Sequence, residues 1–115
     1  MSNPLQRAID HFRSVDPTGR EALRFQEEWH RAMRHPEAIA ILEAGVICLG
    51  WWIPDPVDGP EFFVRFLSGQ NAWDFLFKRF ELDAGLRGIS PGSVMIRYGR
   101  KRWSDPGTRL FKYST

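Results

Sequence analysis

Apolar positions in the first third of the chain recur at helical spacing. Leu5, Ala8, Ile9 and Phe12 share one helical face, and Asn3, Pro4 and Gln6 carry the chemistry of a capped start. This predicts a helix near residues 4–14, ended by Ser14-Val15-Asp16-Pro17. Ala22, Phe25, Trp29, Ala32 and Met33 repeat the pattern behind Thr18-Gly19-Arg20-Glu21, whose Thr and Glu have capping-box spacing. A second helix is expected over 18–34, closed by His35-Pro36 because proline disfavours helical geometry in the residue before it. Pro36 also suits a helix start, and Ala38, Ile39, Ile41 and Leu42 are apolar on more than one side. That predicts a deeply buried third helix over 37–44 with Gly45 as its stop.

From there the period is harder to read. Val46-Ile47-Cys48-Leu49 is too short a run to separate a helix extension from a buried strand, so 46–53 stays open. Pro54 to Pro60 holds three prolines and a glycine in seven residues and is a loop. Glu61 to Leu67 reads as a short helix, with a strand as the alternative because aromatic residues also suit strands. Asn71 begins a helix carrying Trp73, Leu76, Phe77 and Phe80, stopped at Gly85. After Gly88-Ile89-Ser90-Pro91-Gly92, Val94, Ile96 and Tyr98 alternate with Met95 and Arg97 as in a strand. Arg109 to Tyr113 alternates similarly, and Asp105-Pro106-Gly107 suits a type II turn.

The expected fold is therefore α+β: a mostly helical single domain, helical over about 1–86, finished by a basic β-hairpin over about 92–115 with the tip Arg100-Lys101-Arg102-Trp103. Phe12, Phe25, Trp29, Ile39, Leu42, Phe77 and Phe80 are its expected core.

Composition adds bounds. A chain of 115 residues is one domain in size, and its 43% apolar share argues against disorder. Five Trp and nine Phe supply large buried area. One cysteine, Cys48, cannot form an internal disulfide, which favours a reducing compartment. No apolar stretch reaches signal-peptide or membrane-span length, so a cytoplasmic protein without a membrane partner is expected.

The net charge of +2 hides an asymmetry. From residue 87 onward Arg87, Arg97, Arg100, Lys101, Arg102, Arg109 and Lys112 stand against Asp105 alone, while the first 86 residues are net acidic. Such a basic tail suits an anionic partner.

Other chemistries are thinly supported. Glu27 and His30 have the Glu-x-x-His spacing of di-iron bundles, but that motif is not repeated. Cys48 lies in an apolar run, where a thiol is inert packing. Asp55 and Asp58 lack the spacing of a calcium loop, and Gly88 to Ser93 lacks the Walker spacing and its lysine. No cofactor is implied. The function expected is a small non-enzymatic protein-binding module, an accessory, regulatory or inhibitor subunit. Its binding set is Arg97, Arg100, Lys101, Arg102, Trp103, Arg109 and Lys112, directed at an acidic protein surface. The alternative is nucleic-acid binding through the same residues, with Trp103 stacking on a base.

Overall fold

The computed structural model describes residues 3–43, 45–54, 57, 59–99 and the backbone of 101–102. The first two helices form where the apolar stripes put them. Helix α1 spans Pro4–Val15, and the Asn3 side chain accepts the Gln6 N–H at 2.7 Å. Helix α2 spans Arg20–Ala32. Its start is held by Asp16 rather than by a Thr18–Glu21 box. The Asp16 carboxylate accepts the Thr18 hydroxyl at 2.6 Å, the Thr18 N–H at 3.1 Å and the Glu21 N–H at 3.2 Å.

A mostly helical domain with its sheet confined to a C-terminal hairpin is not what forms. The middle of the chain is sheet: β1 (Ala38–Glu43), β2 (Val46–Ile53) and β3 (Glu61–Ser68), followed by helix α3 (Ala72–Leu86), then β4 (Met95–Tyr98) and the two-residue β5 (Lys101–Arg102). The spatial order is β1-β2-β3-β4-β5. All neighbours are antiparallel except β3 and β4, which are parallel and joined by the α3 crossover.

The expected third helix is strand β1. Its apolarity on more than one side arises because it belongs to a sheet covered on both faces. Ala38 and Leu42 pack toward α1 and α2, whereas Ile39 and Ile41 pack toward α3. Gly45, read as a helix stop, has φ +76° and lies in the turn between β1 and β2, where Glu43 pairs with Val46. Residues 61–67, read as a short helix, are strand as well, and so is the open stretch 46–53.

Two cores result. Phe12, Phe25, Ile47, Leu49, Trp51 and Phe66 fill the space between the sheet and the α1–α2 pair. Cys48, Trp52, Phe62, Val64, Leu76 and Phe80 fill the space beneath α3. Of the expected core, Phe12, Phe25 and Phe80 are buried, while Trp29, Ile39, Leu42 and Phe77 are half-buried at the margins.

One irregularity lets β3 serve both cores. Gly50 pairs with Val64 and Leu49 with Phe66, so Arg65 is an extra residue in β3. The bulge puts Val64 under α3 and Phe66 under α1 and α2. The Arg65 side chain turns to α2, where its Nε donates to Glu28 at 2.5 Å. Gly50 is needed beside the bulge: a Cβ there would stand 2.8 Å from both the Phe62 ring and the Phe63 carbonyl oxygen.

Candidate functional site

The basic C-terminal region begins at β4. Ile96 is buried beneath α3 and fixes the strand, while Tyr98 meets Trp73 of α3 edge-on at 5.6 Å. Alternation then turns Arg97 to the other face, paired in register with Phe63. There the Arg97 Nη2 donates to the Glu61 carboxylate at 3.1–3.2 Å. Glu61 is only 2% exposed, so Arg97 balances a buried charge. Its Nε is buried without a hydrogen-bond partner among the described residues. Arg97 is thus bound into the fold.

The chain reverses earlier than the sequence suggests. Gly99 has φ +61° and donates its N–H to the Val64 carbonyl at 3.1 Å. Tyr98 pairs with Lys101 and Arg97 with Arg102, so the antiparallel return is in place by Lys101. Among the described residues Lys101 and Arg102 form the outermost strand of the sheet. Arg100, Trp103, Arg109 and Lys112 lie outside the described residues, as do the turn expected at 105–107 and the strand expected at 109–113.

Cys48 is fully buried in β2, and burial pushes its thiol up to about 12. Glu27 and His30 are exposed on α2, and no metal-ligating cluster occurs among the described residues. Asp55 and Asp58 lie outside the described residues. Pro91–Ser93 is a single 3-10 turn, in which the Ser93 hydroxyl donates to the Ser90 carbonyl at 2.7 Å. No helix among the described residues is long and apolar enough to cross a membrane.

The adjacent tryptophans of β2 point to opposite faces. Trp51 is stacked on His35 at 4.0 Å and tilted against Phe63 at 4.6 Å. Trp52 donates its Nε1 to Asp83 at 2.5 Å, with the Arg87 guanidinium 5.0 Å from its ring centre. Both are 7% exposed and belong to the two cores.

Surface depressions occur among the described residues. Arg7, His11 and Glu43 border one of about 150 Å³ between α1 and the β1–β2 turn. Gln70, Asn71, Asp74 and Lys78 border one of about 500 Å³ at the start of α3. A narrow groove of about 80 Å³ runs between β1 and α3, walled by Ile39, Ile41, Leu82 and Leu86. Little in the sequence marks that groove. Its only signal was the presence of two leucines one helical turn apart, off the Trp73-Leu76-Phe77-Phe80 stripe.

No protein-family model, no curated protein and no solved structure matches the chain.

Proposed function

We propose that the chain is a small non-enzymatic protein-binding module, of accessory, regulatory or inhibitor type, that engages an acidic partner surface through its β4–β5 end. The observation supporting this is the position of β5. Two consecutive basic residues, Lys101 and Arg102, form the outermost strand among the described residues and belong to the most basic stretch of the chain. An edge strand offers a partner unpaired backbone groups, and basic residues on it select for acidic ones. Arg97 is engaged by Glu61 and acts as a strut behind the surface. The contact set is Arg100, Lys101, Arg102 and Trp103, extended by Arg109 and Lys112. A single, buried cysteine suits a reducing compartment, so the proposed location is the cytoplasm.

Nucleic acid is the second reading, on the same charge concentration. The joint substitution Arg100→Ala, Lys101→Ala and Arg102→Ala tests both. The unfolding free energy should change by within about 0.5 kcal/mol per site, as for ordinary surface positions. Partner capture from nuclease-treated extract should fall sharply. Capture equal to that of the parent chain refutes the site. Titration of a short duplex oligonucleotide separates the readings, because phosphate binding weakens steeply as salt rises.

A further inference from the structure

We draw no further inference here: the strongest candidate, the apolar groove between β1 and α3 that Ile39 and Ile41 floor and the exposed Leu82 and Leu86 wall, carries nothing because nothing in the structure shows what covers it.

Discussion

Cys48 ties the stability of the fold to alkaline pH in a way that can be isolated. It is fully buried with Val64, Leu76 and Trp52 around the α3-side core. Burial raises the thiol from its ordinary 9.0 to about 12, because a thiolate there would lose its hydration. The sign follows from proton counting. Below pH 9 both folded and unfolded chains hold the proton, and the contribution of the neutral thiol to stability is fully present. As pH rises from 9 toward 12, the unfolded chain releases the proton while the folded chain keeps it. Stability then falls by about 1.4 kcal/mol per pH unit, on the order of 4 kcal/mol over the whole interval. Replacing Cys48 by Ala removes this dependence and costs about 1 kcal/mol in lost burial. All other titrating groups are common to both chains and cancel in the difference. Urea unfolding of both proteins should give a constant advantage to the parent up to pH 9. The advantage should then shrink and reverse within roughly one pH unit, at the slope set by one proton. A difference that stays flat to pH 11 would refute the burial of a protonated thiol. Native labelling of the parent by a thiol reagent should likewise proceed only through opening of the fold.

Other consequences can be checked by standard unfolding measurements. Phe25→Ala removes a fully buried ring lying 5.3 Å from Phe12 and 5.2 Å from Phe66, and should cost about 3–5 kcal/mol; a change below 1 would contradict the packing. Gly50→Ala drives a methyl group against Phe62 and the Phe63 carbonyl and should cost about 1–3 kcal/mol, with partial relief when Phe62→Leu is added. A double-mutant cycle on Glu28 and Arg65 should return a coupling of about 0.2–1 kcal/mol, because the pair is partly exposed. Asp16 is held below the ordinary carboxylate range first by the Thr18 hydroxyl and then by the Glu21 N–H. Its contribution is therefore complete above that range and lost as pH falls through the lowered value, so Asp16→Asn should flatten the acid limb of the stability curve.

What the sequence disclosed depended on how many faces each element buries. Helices α1 and α2 each bury one stripe, with Ala8, Ile9 and Phe12 on one and Ala22, Phe25 and Ala32 on the other, so their period was plain. Every residue of β2 from Val46 to Trp52 is buried, so no alternation exists to be read. β1 has the same cause, compounded by Gly45, which serves a hairpin as readily as a helix end. Two isoleucines in five residues and the brevity of the run were the cues for a strand. β3 was obscured because Phe63 and Leu67, between and beside Phe62, Val64 and Phe66, are apolar as well and pack on the two cores, so apolar and polar positions do not alternate cleanly. The basic residues of the binding set stand out in the sequence by charge alone. Charge along the chain does not reveal that Arg97 faces Glu61, thirty-six positions earlier, because the α3 crossover brings the two together in space.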